Sequence, residues 1–501
     1  MWLAFCLLIV VLVLWIWNSA QRPRNFPPGP FWFPWFGTTL QARRLGRKYG
    51  GLHGVYRVLS ERYRSPVIGL RQGSENIVAV YGYPVAKEAL TNDLLSGRPD
   101  NTFTRLRTLG ERLGIAFTDG QHWEEHRSFV VRTLKEVGLG KSSMEESIQR
   151  ELQELIDVIK SDGQGMFPRK MFQVSVLNVL WTFASGKRIG KGNMHLNDLL
   201  DTLKKRLEMF DIAGGLLNQV PWLQYIAPEW SGYNIVKRFS YKLIDFFTDT
   251  ISEHKANFRE DKAATDLIYA YMREIKAREH DPNSTFTETQ MIMAILDLFI
   301  AGATTTALVV ELGLLIMISR PDINAKVNAE IDAYQEPITW ESRHSLPYIQ
   351  ALLAELQRYF HSAAISGPRR ALQDTTLGGY SIPKDTSVFV DLRSVHMDPE
   401  YWGDPETFRP ERFIDEQGNF VQNERLIPFS LGKRRCLGDS LARVCFFVYF
   451  AGLMQRFQVY LPNGVSEYPS MKLMPGITYM PKEFQVSFKE KTTKNVIELF
   501  K

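Results

Sequence analysis

The chain opens on an unbroken apolar run, Met1 to Trp17, which carries three tryptophans and is followed by Arg22 and Arg24. About 20 apolar residues span a bilayer comfortably, so this run stands at the short end of the spanning range. Asn-Ser-Ala at 18–20 resembles the small-residue site of a cleaved signal peptide and keeps that alternative open. No basic residue precedes the run while two arginines follow it, and the positive-inside rule then leaves the remaining chain cytoplasmic. The pattern predicts a signal-anchor helix over 1–20, with Trp15 and Trp17 at the membrane interface. Phe26-Pro-Pro-Gly-Pro30, with Pro34 behind it, cannot be helix and lacks several backbone donors, so 21–40 reads as a stiff hinge. From 41 to 501 helical and short strand patterns alternate with no linker, repeat or low-complexity tract, which fits one large domain.

Within that domain, Val67 to Leu70 and Ile77 to Val80 read as a strand pair around Gly-Ser-Glu-Asn. Residues 145–280 are helical in pattern and chemically quiet. Leu207 to Pro228, with Gly214-Gly215 and two prolines, reads as a lid or a membrane-touching segment. Thr285-Phe-Thr-Glu288 has the form of a capping box opening a helix from about 287 to Ser319, where Arg320-Pro321 stops it. At 1.5 Å per residue that helix would be roughly 50 Å long. A second transmembrane span is one reading. Asp297, Gly302, three consecutive threonines and Glu311 interrupt the apolar run and favour a buried central helix instead. Leu441 to Leu453 is apolar on nearly all sides and predicts another buried helix, with Cys445 in the core.

With 501 residues, 45% of them hydrophobic, the chain can bury a large core. Its net charge of +5, from 60 basic and 55 acidic residues, is too balanced to argue for nucleic acid. The three cysteines, Cys6, Cys436 and Cys445, give neither a disulfide framework nor a C-x-x-C pair, which speaks against zinc ribbons and thioredoxin chemistry and for a reducing compartment.

The candidate chemistry centres on Phe429-Ser-Leu-Gly-Lys-Arg-Arg-Cys-Leu-Gly438. Lys433, Arg434, Arg435 and the helix opening after the loop favour a thiolate at Cys436, which suits a metal ligand; the alternative is a buried cysteine beside a basic turn. Gly432 permits a turn, Gly438 lets backbone approach something flat, and Phe429 can shield the sulfur. Trp123 and Arg127 lie four apart on one helix face, and both donate hydrogen bonds. Glu355 and Arg358 form an i,i+3 pair, but Glu61 with Arg64 and Glu124 with Arg127 share that spacing, so alone it means little.

The loop F-x-x-G-x-R-x-C-x-G resembles the haem-binding signature of cytochrome P-450 enzymes at every defined position. Ala301-Gly-Ala-Thr-Thr-Thr306 resembles that family's A-G-x-[acid]-T-T motif, Glu355-Leu-Gln-Arg358 its E-x-x-R pair, and the proline-rich hinge that of its microsomal members. The resemblance implies the mainly α haem-thiolate fold with a small β side, heme b as cofactor and Cys436 as axial iron ligand. Arg98, Trp123, Arg127, Arg369 and Arg434 would meet the haem propionates, with Phe429 and Gly438 beside the haem. Glu355, Arg358 and Arg412, the last in Phe408-Arg-Pro-Glu-Arg-Phe413, resemble the buried structural triad. Thr305 would relay protons for oxygen activation; Thr304 stands where most relatives carry Asp or Glu, so delivery would use Thr304, solvent or another helix residue. Ala301, Ala364, Ile365 and Ile477 would line the substrate pocket. Electrons from NADPH would arrive through a microsomal reductase, with cytochrome b5 as a second donor, at a basic face of Arg132, Lys135, Lys433, Arg435 and Arg443. The implied activity is insertion of one oxygen atom from O2 into a lipophilic molecule at the endoplasmic reticulum membrane. Asp398-Pro-Glu-Tyr-Trp-Gly-Asp-Pro-Glu-Thr-Phe resembles animal, above all insect, members acting on steroids, terpenoids or foreign compounds, and the specific expectation is an insect hormone-pathway enzyme such as one epoxidising farnesoate or its methyl ester to juvenile hormone. Alternatives are a steroid or xenobiotic hydroxylase, a reductase-independent peroxide isomerase or dehydratase, and a noncatalytic haem sensor or lipid-binding protein.

Overall fold

The computed structural model describes Trp2 and residues 21–491, apart from 35, 74, 191, 211 and 212. Except for Trp2, the anchor expected over 1–20 lies outside the described residues, as do Trp15 and Trp17. The principal helices are α1 (Gly120–Glu136), α2 (Ser142–Ser161), α3 (Pro168–Ser185), α4 (Met194–Met209), α5 (Tyr233–Ala256), α6 (Glu288–Ser319), α7 (Pro347–Phe360) and α8 (Asp439–Arg456). The β side is a four-stranded sheet built from β1 (Val67–Gln72), β2 (Glu75–Tyr81), β3 (Arg369–Arg370) and β4 (Ser387–Asp391), in the order β1-β2-β4-β3.

The sequence of α6 leaves almost no face that water could wet, so the fold surrounds it. Helix α3 packs along it most extensively, and α5, α7 and α8 cover other faces. Of its most apolar window 72% is buried within the protein, which gives the helix its place in the core without a membrane. Its start differs from the expectation in one detail. Thr287 is the cap and accepts from the Gln290 N–H at 3.1 Å. The Thr285 hydroxyl is engaged elsewhere, donating to Glu125 at 2.6 Å and lying 3.1 Å from His126, so the expected box at 285–288 does not form.

Strands β1 and β2 form the expected pair, antiparallel, with Val67 opposite Val80 and Leu70 opposite Ile77. Helices separate β2 from β4, which then runs parallel to it, and all five β4 residues are buried. Helix α8 opens at Asp439, and Cys445 within it is fully buried.

Helix α7 carries the Glu355–Arg358 pair, both fully buried, and context decides its meaning. Arg358 grips the Glu355 carboxylate twice at 2.7 Å, through Nε and Nη2, and reaches the carbonyls of His396 at 2.9 Å and Pro405 at 3.0 Å. The Arg409 N–H and the Arg412 Nε donate to the same carboxylate at 2.8 and 3.2 Å. The Glu355–Arg358 pair thereby pins His396, Pro405 and the segment 409–412 to α7. Glu61, at the same spacing from Arg64, is exposed and pairs with Arg57 instead.

Replacing Glu355 with Ala strands two buried guanidiniums and should lower unfolding stability by about 3–5 kcal/mol, whereas Glu61→Ala should cost under about 1 kcal/mol. Equal urea midpoint shifts for the two variants would show that the buried network is not what holds this region.

Candidate active site

The loop before α8 folds back on itself. The Cys436 N–H donates to the Phe429 carbonyl at 2.9 Å, and the Arg435 N–H to the Gly432 carbonyl at 3.1 Å. Gly432 has φ +71, and a Cβ there would lie 2.2 Å from the Leu90 carbonyl oxygen, so both conformation and space demand glycine. Gly438 is different: as the residue that opens α8 it has φ −88, and an added Cβ would meet nothing within 4 Å. Phe429 stacks on Phe446 with centroids 6.5 Å apart and lies under the Arg443 guanidinium at 4.8 Å.

The basic residues around Cys436 do not act as their proximity in sequence suggests. Lys433 is drawn off to Asp93 at 2.9 Å, and Arg434 turns into the interior. The sulfur is accessible by area but recessed, and desolvation pushes the thiol above its ordinary value, with Asp439 adding to the rise. The Gly438 N–H and Arg127 pull the other way and do not prevail. The surrounding chain alone therefore does not make Cys436 a thiolate; a cation brought to the sulfur would be needed.

The arginines expected to bind an anion do converge. Arg98 donates to the carbonyls of Ala116 and Gly367, each at 2.9 Å, and Arg434 to those of Ser96 and Thr118, each at 2.8 Å. Arg127 reaches the Arg435 carbonyl at 2.8 Å and Arg369 the Leu431 carbonyl at 3.3 Å. Arg434 lies 3.6 Å over the Trp123 ring. Carbonyl oxygens are weak compensation for buried charge. Burial lowers Arg98 well below its ordinary value and the repulsion of Arg434, Arg369 and Arg127 lowers it further; burial likewise brings Arg434 down to about 9 and Arg369 to about 10. The buried Arg434 Nη1, Arg369 Nε and Trp123 Nε1 have no hydrogen-bond partner in the protein. Asp119 is the nearby carboxylate, but Arg112 and Arg370 hold it, each at 2.7 Å. Unspent N–H donors and excess positive charge suit this set to an anionic group.

On α6, Ala301 and Thr305 are exposed in the middle of an otherwise buried helix, while Thr304 is buried. Thr305 donates to the Ala301 carbonyl at 2.9 Å, closing back on its own helix. Thr304 accepts from Gln173 of α3 at 3.1 Å. Gly302 is needed for packing, because a Cβ there would lie 2.0 Å from Leu180, so the room it makes is taken by that side chain. Ile365 and Ile477 line a cavity of about 430 Å³, and Ala364 is buried at 1% exposure.

One structural residue of this region escaped the motifs. Asp297 accepts from the Ile115 and Ala116 N–H groups at 2.6 and 2.7 Å and pairs with buried Arg107, clamping the segment before α1 onto α6. A carboxylate in an apolar run had to find such partners, and that was its available signal. On the opposite side, Arg132, Lys135, Lys433 and Arg435 line a broad groove of about 930 Å³. Within the expected basic face, Lys433 and Arg443 are already paired, with Asp93 at 2.9 Å and Asp439 at 2.5 Å.

Comparison with known proteins places these features in company. The family model described as Cytochrome P-450 matches residues 27–488. The Drosophila melanogaster protein named "Probable cytochrome P-450 305a1" is 44% identical over 499 residues, covering 97% of this chain and 99% of that one. "Farnesoate epoxidase" of Bombyx mori is 32% identical, covering 98% and 99%. "Cytochrome P-450 2J2" of Homo sapiens is 34% identical, covering 92% and 91%.

The two loop glycines give a contrast that stability measurements can read. Gly432→Ala forces a left-handed alanine against Leu90 and should cost about 2–4 kcal/mol, whereas Gly438→Ala should cost under about 1 kcal/mol. Matching losses in urea unfolding would remove the packing argument for Gly432.

Proposed function

From the premise that the chain belongs to the cytochrome P-450 family of haem-thiolate monooxygenases, we propose that it epoxidises farnesoate or its methyl ester. The observation that carries the haem assignment is the anion-binding set: a group with two propionates matches the cluster of Arg98, Trp123, Arg127, Arg369 and Arg434, in which buried donors of Trp123, Arg369 and Arg434 have no partner in the protein. Cys436 would hold the iron, and the metal cation would supply the stabilisation of the thiolate that the chain withholds. When bound, the haem supplies the reductive activation of dioxygen and the transfer of one oxygen atom to carbon.

The remaining roles belong to the chain. Phe429, packed between Phe446 and Arg443, shields the sulfur from water, and Gly438 leaves open space beside it. Thr305 Oγ, exposed beside Ala301, holds a proton where oxygen is activated, and Thr304 stands behind it on the α3 side. Glu355, Arg358 and Arg412 keep the proximal segments in register. Ala301, Ile365 and Ile477 offer apolar contact to a lipophilic substrate, with Ala364 packed behind them. The groove containing Arg132, Lys135 and Arg435 suits an acidic flavoprotein that passes electrons from NADPH, with cytochrome b5 as a second donor. Trp222, Tyr225, Ile226 and Trp230 are exposed together at the segment 222–230, a surface fit for the headgroup region of a membrane. With 1–20 as an anchor and 21–40 as a hinge, the domain over 41–501 would lie on the cytoplasmic side of the endoplasmic reticulum.

The choice of farnesoate rests on the silk-moth relative that bears that name, at 32% identity over nearly the whole chain. A steroid or xenobiotic hydroxylase is the second reading, since the human relative, whose name carries no substrate, is as similar to this chain as the silk-moth one. Turnover with NADPH and reductase against farnesoate, methyl farnesoate, steroids and fatty acids decides between them. The expected product is a mono-epoxide of the isoprenoid; hydroxylated steroid or fatty acid alone would select the second reading. Product formed without NADPH would instead indicate a peroxide isomerase or dehydratase. For the haem assignment, Arg434→Met should speed haem release to an acceptor globin by about tenfold or more, the loss of a charge-assisted contact. An unchanged release rate would detach Arg434 from the propionates.

A further inference from the structure

Two turns along α6 from Thr304 stands Glu311, 1% exposed. Arg169, at the start of α3, holds its carboxylate at 2.8 and 3.0 Å and also donates to the Pro481 carbonyl at 2.8 Å. A buried ion pair of this kind is poor evidence of a stability device, because an apolar pair of similar volume does as well or better. Its position offers another explanation. Glu311, Arg169, Gln173 and Thr304 line one cavity of about 230 Å³ between α3, α4 and α6. At about 30 Å³ per water, that volume holds a handful of waters, for which these four side chains are polar partners among the apolar Phe167, Leu200, Leu207, Met480 and Phe484. Thr304 and Glu311 are separated by roughly 10 Å along the helix, a gap that two or three waters bridge. Toward solvent the cavity is framed by the exposed pairs Lys204–Glu483 at 2.7 Å and Lys170–Asp201 at 3.8 Å.

We propose that Glu311 is the carboxylic acid that supplies protons for oxygen activation, passing them through cavity water to Thr304 and on to Thr305. The proposal deepens the monooxygenase reading and rests on it. Each turnover takes up O2, two electrons from NADPH through the reductase and two protons; one oxygen atom enters the substrate and the other leaves as water with both protons. Glu311 gives a proton to the water chain and regains one from solvent through the mouth at Lys204 and Glu483. Gln173 fixes the Thr304 hydroxyl by donating to its oxygen, which leaves the Thr304 O–H to point onward. Thus an acid two turns away replaces the one that residue 304 lacks.

The charge environment supports the assignment. Burial raises the Glu311 carboxyl to about 7, Arg169 and Lys204 lower it, and Glu483 raises it. Lys170 and Asp201 are the other charged groups facing the cavity, from α3 and α4. A group poised near neutrality both gives and regains a proton readily. The sign follows: its protonated fraction falls as pH rises through about 7, and product formed per NADPH should fall with it.

The test uses the full-length holoenzyme with reductase, in the wild type, Glu311→Gln, and the double variant Arg169→Met with Glu311→Leu, which leaves no stranded charge. The carbon monoxide difference spectrum checks that each variant folds around haem. Both variants should lose about tenfold or more in product per NADPH, divert electrons to hydrogen peroxide, and lose the pH dependence. Independently of turnover, infrared spectra of the wild type should show a buried-carboxyl band that titrates near pH 7 and is absent from Glu311→Gln. Variants that keep wild-type coupling and pH profile, or a wild type with no such titrating band, would overturn the proposal. A wild type that turns over none of the panel with NADPH would overturn the parent reading, while the infrared titration still decides the state of Glu311.

Discussion

A single carboxylate, that of Glu355, holds the region around Cys436 in register. It receives two N–H groups from Arg358, one from Arg412 and one from the backbone of Arg409. Arg358 and Arg412 in turn collect carbonyls from residues 396 to 407, a stretch with little regular structure of its own to satisfy them. Beneath them Ala351, Ala354, Trp402 and Phe413 make a small separate core. Irregular backbone can be buried only when its polar groups find partners, and here guanidinium forks take the place of a sheet ladder. The chain leaves this knot toward the Cys436 loop, so the sulfur's position depends on an interaction made well before it in sequence.

What could be read from sequence was whatever depends on local pattern. The strand pair, the long buried helix, the all-apolar α8 and the glycine at 432 follow from local pattern and steric need. The convergence of Arg98, Trp123, Arg127, Arg369 and Arg434 was legible through resemblance, since nothing in their spacing brings residue 98 to residue 434. What could not be read was where long side chains go. Lys433 and Arg443 look free beside Cys436 in the sequence, yet Asp93 and Asp439 hold them. Thr285 has the residues of a capping box, but Glu125 and His126 compete for it, and the cap passes to Thr287. The polar interruptions of α6 were visible as interruptions, while the partners that make them tolerable, Arg107 for Asp297 and Arg169 for Glu311, come from distant segments.

Two groups of buried charge among the described residues make an informative contrast. Asp297, Glu311 and Glu355 each meet at least one guanidinium, so their neighbourhoods are close to electrical balance. The set formed by Arg98, Arg127, Arg369 and Arg434 lowers the basicity of its own members and retains donors that no protein atom uses. A fold gains nothing from such an imbalance unless a ligand removes it. The same reasoning applies to Cys436, whose thiol the protein raises instead of lowering. Excess cation on one side and an unstabilised thiol on the other describe a site completed by something that brings both negative charge and a metal.

The neutral residue at 304 then acquires a meaning beyond an absent acid. A carboxylate there would enter the cavity that Glu311 and Gln173 line, where a low effective dielectric makes like charges repel over several ångströms. In the proposed relay the acid stands two turns along α6, paired with Arg169, and cavity water would carry its protons to residue 304. Thr304, held by Gln173, is then the neutral link in that relay.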